Sequence, residues 1–486
     1  MLSLVRKQFN HAVAWAVLLV WNAMLAAPQD TSGENELPTA RAAPTRSSEI
    51  KTWLEALSAR EFSKRQQATR KLLAAGPQAI FALQSAATSS QSESRARAVS
   101  ILEELSLSID PETWKPAQAA LRELASSSTS SARRAASVLA ELGDKQTRRM
   151  TRAIRRQGGR VYKLQNGRLR IDLNEEWVGG NRGVQALPRL PGVVFVSLER
   201  SGVGDRGLVW LSSMQSVQRL FLGRSRVTGA GLVHLKGMAG LTHVSLQHQP
   251  IRDADLKRLA QLKQLESLGL DDTRITDAGL SHLQFPQLRE LWLDRTTVTA
   301  VGLKHLTQLT NLERLHLVGT RVYGTQIAVL DQFAMLSTLW LRDTPVDAAT
   351  VTALAGCTRL TSLGLDRTSV RDEHLAPLKN LTELETLWVS QTGIGDRAIA
   401  HLKSLKSLKV LHLSQTAITN TGLQQLAGHP ALTSLYINET DIDDAGLKQL
   451  VQCPQLRRIY AKSTRVTAQG VTQLRGKLPK CRVYLN

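Results

Sequence analysis

Cysteine and aromatic residues are scarce in this sequence. Three cysteines among 486 residues are too few for the disulfide framework of a small secreted domain. Cys357 and Cys453 each stand three residues before a leucine of a regular pattern, where other copies of the pattern have Met, Leu or Phe. We therefore expect both to be buried as ordinary apolar side chains. Because Phe, Trp and Tyr make up only 4% of the chain, any place where they gather is informative.

Catalytic and metal-binding motifs are also missing. The sequence contains no nucleophile–base pair, phosphate-binding glycine loop or paired-carboxylate motif at a specific spacing. No Cys or carboxylate joins His282 and His305 at the spacing of metal ligands, so we interpret both as surface histidines. The sequence predicts a protein that is not an enzyme and that uses no cofactor or metal.

Long apolar runs are confined to the N-terminus. Residues 12–27 follow Arg6 and Lys7 and form an apolar run of about 16 residues, whereas a membrane-spanning helix needs about 20. The pattern predicts a signal peptide or N-terminal anchor over residues 1–27, and export to the periplasm or cell envelope. Membrane contact is expected only if this segment is retained. Residues 28–47, rich in Pro, Ser, Thr and Ala, are predicted to be a disordered linker.

Positive charge is abundant, with a formal net charge of +21 and a pI of about 10.3. Such a charge favours anionic partners, but it is spread along the chain, so we do not expect nucleic acid to be the main partner. The densest basic segment is a predicted helix in which Arg148, Arg152, Arg155 and Arg156 share one face. A solvated face is the simpler interpretation, and an anionic lipid or polymer is the alternative.

Residues 48–157 have the spacing of amphipathic helices. Apolar residues recur every three or four positions, and Gly76-Pro77 ends one helix and starts the next. The segment 67–80 resembles a HEAT-type helical pair, which implies antiparallel hairpins that stack on one another. We predict a small all-α, HEAT-like domain.

From residue 193 onward the chain repeats itself every 24 residues, except for one interval of 23 between Leu270 and Leu293. Each unit has apolar residues at its first, fourth and sixth positions, in most units a Thr at the ninth, and then Gly-Leu-x-x-Leu or a variant of it. The sixth position recurs thirteen times, as Leu198, Leu222, Leu246, Leu270, Leu293, Leu317, Leu341, Leu365, Val389, Leu413, Ile437, Ala461 and Leu485. This register predicts an α/β, right-handed leucine-rich repeat solenoid over residues 193–486, with a parallel concave sheet and short convex helices. The threonines are expected to satisfy backbone groups where the chain leaves the sheet.

Residues 158–192 precede the first full unit. Two alternating runs are joined here by Asn166-Gly167, a strong hairpin signal, so we predict an N-terminal cap hairpin and a first irregular repeat. With the helical segment before it and units such as Thr-x-Ile-Thr-Asp-Ala-Gly-Leu at 273–280, this order resembles the exported leucine-rich repeat proteins of planctomycete-type bacteria. The repeats alone are similar to those of eukaryotic F-box substrate receptors. The resemblance implies the solenoid fold and no particular ligand.

The fifth position of each unit, which points outward on the concave face, is rich in aromatic residues. Seven of its thirteen members are Phe, Trp or Tyr. Strands about 4.8 Å apart bring such side chains into one stripe, and charged residues follow just past the strands. The candidate ligand-binding residues are Phe221, Trp292, Asp294, His316, Trp340, Arg342, Asp366, Arg367, Trp388, His412, Tyr436, Tyr460 and Tyr484.

Exposed aromatic residues rimmed by charges have the composition of an interface centre. We therefore predict a non-catalytic binding or scaffolding protein whose stripe holds a protein ligand, with a glycan as the second candidate. Three alternatives stay open. The stripe could merely stabilise an exposed sheet, because aromatic residues favour strands and stack on their neighbours. Basic surface and stacking rings could bind nucleic acid or another anionic polymer. The chain could also be an F-box-like receptor, although residues 48–145 contain no recognisable F-box.

Overall fold

The computed structural model describes residues 47–485. The predicted signal peptide or anchor, and all but the last residue of the predicted linker, lie outside the described residues. The described chain divides into two compact units, one that ends at Leu139 and one that begins at Ala140. None of the helices within residues 47–485 is both long enough and apolar enough to cross a membrane.

The first unit is entirely helical, as the sequence predicted. Leu72, Leu83, Leu102 and Leu121 are fully buried in its core. The kinship with HEAT-type pairs stays a prediction. The helices are α1 (Ser47–Glu55), α2 (Phe62–Ala75), α3 (Ile80–Ala86), α4 (Ser92–Ser106), α5 (Pro111–Ser126) and the first part of α6 (Ala132–Arg156).

The second part of α6 belongs to the second unit. Met150 and Ile154 are buried in the core of that unit, while Arg148, Arg152, Arg155 and Arg156 are exposed. The basic face predicted from the sequence is therefore present, and the opposite face of the helix is the one that packs.

A β-hairpin opens the sheet of the second unit. Strands β1 (Arg160–Lys163) and β2 (Leu169–Asp172) pair antiparallel. The turn between them contains Gly167 at φ 77°, a conformation that glycine adopts without strain. Strand β2 then pairs in parallel with the first strand of the repeats, and its Ile171 is fully buried. The hairpin thus lies against the first repeat.

The repeats form one sheet whose fifteen strands, including the hairpin, lie side by side in chain order. The thirteen predicted strands are present, and their fourth- and sixth-position side chains form a continuous buried core that also contains Cys357, Cys453 and Cys481. They are β3 (Val193–Ser197), β4 (Arg219–Phe221), β5 (His243–Ser245), β6 (Ser267–Gly269), β7 (Glu290–Trp292), β8 (Arg314–His316), β9 (Thr338–Trp340), β10 (Ser362–Gly364), β11 (Thr386–Trp388), β12 (Val410–His412), β13 (Ser434–Tyr436), β14 (Arg458–Tyr460) and β15 (Arg482–Tyr484).

Short helical segments return the chain from each strand to the next. The α-helical ones are α7 (Gly180–Val184), α8 (Asp205–Leu211), α9 (Asp253–Leu256), α10 (Asp277–Leu280), α11 (Ala348–Leu354), α12 (Asp396–Leu402), α13 (Asn420–Leu426), α14 (Asp444–Gln449) and α15 (Ala468–Lys477). Several repeats have a 3₁₀ segment instead, among them Ala230–Gly237, Gly302–Leu306, Thr325–Gln332 and Asp372–Asn380.

The chain leaves each of the strands β3 to β14 through a left-handed residue at the eighth position. Eleven such residues are not glycine, and the twelfth is Gly319. At the ninth position the hydroxyl donates to the carbonyl three residues earlier, as from Thr296 to Leu293 at 2.6 Å, and the Thr296 N–H donates to the same oxygen at 3.2 Å. These bonds stabilise a backbone conformation that otherwise costs about 1–2 kcal/mol per residue. The predicted structural role of the threonines is confirmed.

At five places in the described solenoid, an aspartate of one repeat is bonded to the start of the helical segment of the next. Oδ1 of Asp396 accepts the N–H of Thr419 at 2.7 Å, and Oδ2 accepts the Thr419 hydroxyl at 2.6 Å. Thr419 in turn caps its own helix by accepting the N–H of Thr421 at 3.2 Å. The same pair of Asp–Thr bonds joins Asp205 to Thr228, Asp253 to Thr276, Asp277 to Thr299 and Asp444 to Thr467.

A glycine makes room for each of these aspartates. A Cβ at Gly422 would stand 2.5 Å from Oδ1 of Asp396, too close for any side chain. The equivalent glycines, each approached by the Asp or Asn of the preceding repeat, are Gly231, Gly279, Gly302, Gly446 and Gly470. The Thr-Asp-Ala-Gly-Leu pattern therefore encodes a contact between neighbouring repeats: Thr and Gly receive the Asp of the preceding unit, and Asp reaches the following one.

We expect Asp396→Ala to lower the free energy of unfolding by about 1–3 kcal/mol, because the part-buried N–H of Thr419 loses its acceptor. Gly422→Ala should also destabilise the protein, since its methyl group pushes against Asp396. The double variant removes that clash, so its cost should be clearly smaller than the sum of the single costs. Urea unfolding followed by circular dichroism measures all three. Strictly additive costs would show that Asp396 and Gly422 do not share the contact.

Candidate ligand-binding face

The parallel register places the fifth-position side chains in one line across the concave face, which is the face of the sheet opposite the leucine core. Phe221 pairs with Ser245, Ser245 with Gly269, and Gly269 with Trp292. The line continues from strand to strand through His316, Trp340, Gly364, Trp388, His412, Tyr436, Tyr460 and Tyr484. The aromatic candidates from the sequence are thus brought together in one stripe.

Eight rings of this stripe stack on one another. We call them the ring stack: Trp292, His316, Trp340, Trp388, His412, Tyr436, Tyr460 and Tyr484. The centroids of Trp292 and His316 are 3.7 Å apart with planes 13° apart. Those of Tyr436 and Tyr460 are 4.3 Å apart at 6°. The widest separation is 5.9 Å, between His316 and Trp340.

The stacking changes what the rings can offer to a ligand. An interior ring of the stack has a neighbour against each face, so what it presents outward is chiefly its edge. Such pairs contribute about 0.5–1.5 kcal/mol beyond their area burial, which makes the stack a stabilising element of the sheet. It also holds the side chains in fixed rotamers.

Gly364 allows the stack to cross a strand that has no ring. A Cβ at this position would lie closer than 3.0 Å to Cε3 of the Trp340 ring. Trp340 leans across the bare backbone and reaches Trp388, with centroids 4.3 Å apart and planes tilted by 46°. The ring stack therefore continues across the one strand in it that has no side chain at its fifth position.

Two consecutive small residues are not bridged. Between Phe221 and Trp292 the line contains only Ser245 and Gly269, and a cleft of about 320 Å³ opens above them. We call this cleft the slot. Glu199, His243, Asp271 and Glu290 also line it. The slot was not among the sites predicted from the sequence. The sequence signal for it is the pair of small residues, Ser245 and Gly269, at the fifth position of successive units.

The charged candidates just past the strands are engaged in contacts between repeats. Oδ1 of Asp294 accepts the N–H of Val318 at 2.8 Å, and Oδ1 of Asp366 accepts the N–H of Ser390 at 2.8 Å. Burial raises the pKa of both carboxyl groups. Arg342 and Arg367 both contact Asp343, at 3.3 and 2.8 Å. The two guanidinium groups remain half exposed, whereas the two carboxylates serve mainly to join strands.

The imidazoles of the stripe carry no charge at neutral pH. Burial among the rings lowers the pKa of His316 and of His412 to about 4. Within residues 47–485 no group of three His, Cys, Asp or Glu side chains is placed to hold a metal ion. The stripe therefore offers ring edges, tyrosine hydroxyl groups and neutral imidazoles.

A second charged surface lies on α6. Lys145, Arg148, Arg149, Arg152 and Arg156 line a shallow cleft of about 510 Å³. Lys145 pairs with Glu141 at 2.9 Å, so part of the positive charge is compensated within the helix. The basic lining of this cleft is consistent with an anionic partner, which stays the alternative prediction for this helix.

The 24-residue period, the strands that lie side by side in chain order, and the contacts between equivalent residues of neighbouring units define a leucine-rich repeat solenoid. The sequence profile described as Leucine Rich repeat matches residues 404–427, which is the length of one unit. A search of curated proteins finds no significant match.

Three of the solved structures that are similar to this chain come from Listeria monocytogenes and Leptospira interrogans. An internalin of Listeria monocytogenes shares 23% identity, covering 62% of this chain and 82% of its own, with a TM-score of 0.46. Internalin C2 of the same organism shares 21% identity over 43% of this chain and 84% of its own, at 0.34. A leucine-rich repeat protein of Leptospira interrogans shares 16% identity over 61% and 91%, at 0.41.

We expect Gly364→Ala to break the ring stack at its centre, because the new methyl group displaces Trp340 from its place against Trp388. The cost should be about 1–3 kcal/mol, with loss of the exciton signal of the tryptophan pair in circular dichroism. Gly269→Ala is the matched control from the same column. The nearest atom to its Cβ would be Ser245 Oγ, at 3.3 Å, and the next nearest are carbons of the same serine at 3.5 Å, so its effect should be small. Equal effects of the two substitutions would contradict the bridging role of Gly364.

Proposed function

We propose that this protein is a non-catalytic binding scaffold whose concave face holds a protein ligand. The observation that carries the proposal is the ring stack: a line of half-buried Trp, His and Tyr side chains, with Arg342 and Arg367 beside it. Trp, Tyr and Arg are the residues that dominate binding energy in protein interfaces. Because the stack already holds its rings in place, a partner that binds there loses little side-chain entropy.

The stacking favours protein over the other candidate ligands. A sugar or a nucleotide base uses an aromatic side chain by lying against its face, and interior rings of the stack have both faces covered. A protein surface can instead pack against ring edges and donate hydrogen bonds to tyrosine hydroxyl oxygens. Nucleic acid or another anionic polymer is better matched by the basic side of α6, and this is our second candidate function.

Trp340→Ser and Trp388→Ser should each weaken capture of the partner by roughly 30-fold or more, as expected for an interface anchor worth about 2 kcal/mol. The measurement is quantitative mass spectrometry of proteins retained from cell-envelope extracts by each purified variant. Trp210→Ser is the matched control, because Trp210 lies on α8 away from the sheet and is 37% exposed. If the folded stripe variants retain the same proteins as the wild type and the control, the stripe is not the binding surface.

We propose further that the protein acts outside the cytoplasm. The support is the basic start and the apolar run of residues 12–27, which match a signal peptide better than a membrane span. An F-box-like receptor would instead stay inside the cell.

Mass spectrometry of the protein from its native source should find an N-terminus cleaved near residue 27, in the periplasmic or envelope fraction. An intact N-terminus in the membrane fraction would correspond to the anchored form of the same proposal. An intact N-terminus in the cytoplasmic fraction would contradict export and reopen the F-box-like and nucleic-acid alternatives.

A further inference from the structure

We infer that the slot between Phe221 and Trp292 is the specificity pocket of the concave face, and that it takes the guanidinium group of an arginine side chain presented by a protein partner. The inference rests on the proposed function and adds to it the chemistry of the partner. Its geometry comes from the interruption in the aromatic stripe, and its charge comes from the carboxylates around that interruption.

The walls of the slot are two rings that each have one face uncovered. Phe221 stacks on Phe195 with centroids 5.0 Å apart, and Trp292 stacks on His316 at 3.7 Å. On the other side of each ring the next strand carries only Ser245 or Gly269. A planar group that enters between them can lie against an aromatic face, which the interior of the ring stack does not permit.

The charge of the slot is opposite to that of the protein. No Lys or Arg is among the described residues that line it, whereas Glu199, Asp271 and Glu290 are, in a chain with a net charge of +21. Glu290 is paired with Arg314. Glu199 accepts from the Gln247 side chain at 2.7 Å. Within residues 47–485, neither Glu199 nor Asp271 forms an ion pair with Lys or Arg, so two carboxylates are available to a cation.

Asp271 is the central acid. It is only 8% exposed, and its Oδ1 accepts the N–H of Asp294 at 2.9 Å. Its Oδ2 accepts no hydrogen bond from any residue in the described part of the chain. Burial, followed by the charge of Asp294, raises the pKa of Asp271 to about 6. A buried carboxylate with a free oxygen is costly to the fold and becomes favourable when a cation reaches it.

The same column shows that the fold does not need this charge. Asn438 occupies the equivalent position three residues beyond the centre of its strand, and its Oδ1 accepts the N–H of Lys462 at 2.8 Å. A neutral amide therefore performs the structural task that Asp271 performs. Joining the repeats does not require the negative charge at Asp271, so that charge is available to a ligand.

A guanidinium group fits these features better than an ammonium group. It is planar, it stacks on aromatic faces, and its parallel N–H groups match the two oxygens or the single free oxygen of a carboxylate. It is also less strongly hydrated than an ammonium group, so less is lost when it leaves water for a half-buried cleft.

The test uses the full-length protein and capped arginine, N-acetyl-arginine amide, as the probe, with binding followed by ligand-observed NMR. Capped citrulline is the matched control ligand, because it has the same shape and a neutral planar head. We expect capped arginine to saturate at millimolar concentration and capped citrulline to bind at least about tenfold more weakly. Equal binding of the two, or no saturation by capped arginine up to about 50 mM, would overturn the inference.

Two variants locate the site. Asp271→Asn should fold, since Asn438 shows that the amide fits, and should weaken capped-arginine binding by at least about tenfold. Ser245→Phe should abolish binding by filling the slot with a ring that the same column already carries at Phe221. Asp366→Asn is the matched control: it has the same bond to the next strand, roughly 19 Å away at about 4.8 Å per strand, and should bind as the wild type does. Wild-type binding by Asp271→Asn or Ser245→Phe would overturn the assignment.

The outcome is separable from that of the proposed function. Trp340 and Trp388 lie outside the slot, so loss of partner capture in their variants can be observed whether or not the slot binds arginine. If capture depends on those residues while capped arginine fails to bind, the scaffold proposal stands and the arginine pocket is wrong.

Discussion

Hydrogen bonds that the threonine of one repeat donates to the aspartate of the preceding repeat tie neighbouring units together at five places in the described solenoid. Asp396 and Thr419 illustrate this contact: one carboxylate satisfies both the N–H and the hydroxyl of the next helix start, and Gly422 leaves the space that this carboxylate needs. A solenoid is stabilised only by contacts between neighbouring units. A bond that recurs at the same place in successive units holds them at a constant spacing, and so keeps the strands in register.

Because the register between strands is constant, residues at equivalent positions of successive repeats lie next to one another and form a continuous surface. With every fifth-position residue opposite its counterpart, rings on adjacent strands come within stacking distance, and most of their faces are used against one another. The stripe is therefore a stabilising element, and its fixed rings are prearranged for the proposed protein ligand. The two interruptions behave differently because of reach: Trp340 can lean over the single residue Gly364, whereas no ring spans both Ser245 and Gly269.

The charged residues just past the strands are also used largely in contacts between neighbouring repeats. Asp294 and Asp366 join strands through backbone N–H groups, and Arg342 and Arg367 share Asp343. Charged side chains that look like ligand contacts in a sequence are here largely occupied by neighbouring repeats. Asp271, like Asp294 and Asp366, joins the next strand through one oxygen. It differs from them because it lines the slot, which no Lys or Arg of the described chain lines. The proposed pocket lies where the repeat pattern leaves a carboxylate without a cationic neighbour.

The sequence by itself determined the period, the thirteen strands, the leucine core, the hairpin at Asn166-Gly167 and the alignment of the stripe. These follow from local patterns, because each unit contacts only its neighbours and a fixed spacing fixes which residues meet. Only the tertiary structure decided which of the aligned groups remain free. Ring faces, the second oxygen of Asp271 and the slot above Gly269 depend on side-chain rotamers and on distances between strands. A column of letters records which residues are neighbours, but not which of their surfaces those neighbours already cover.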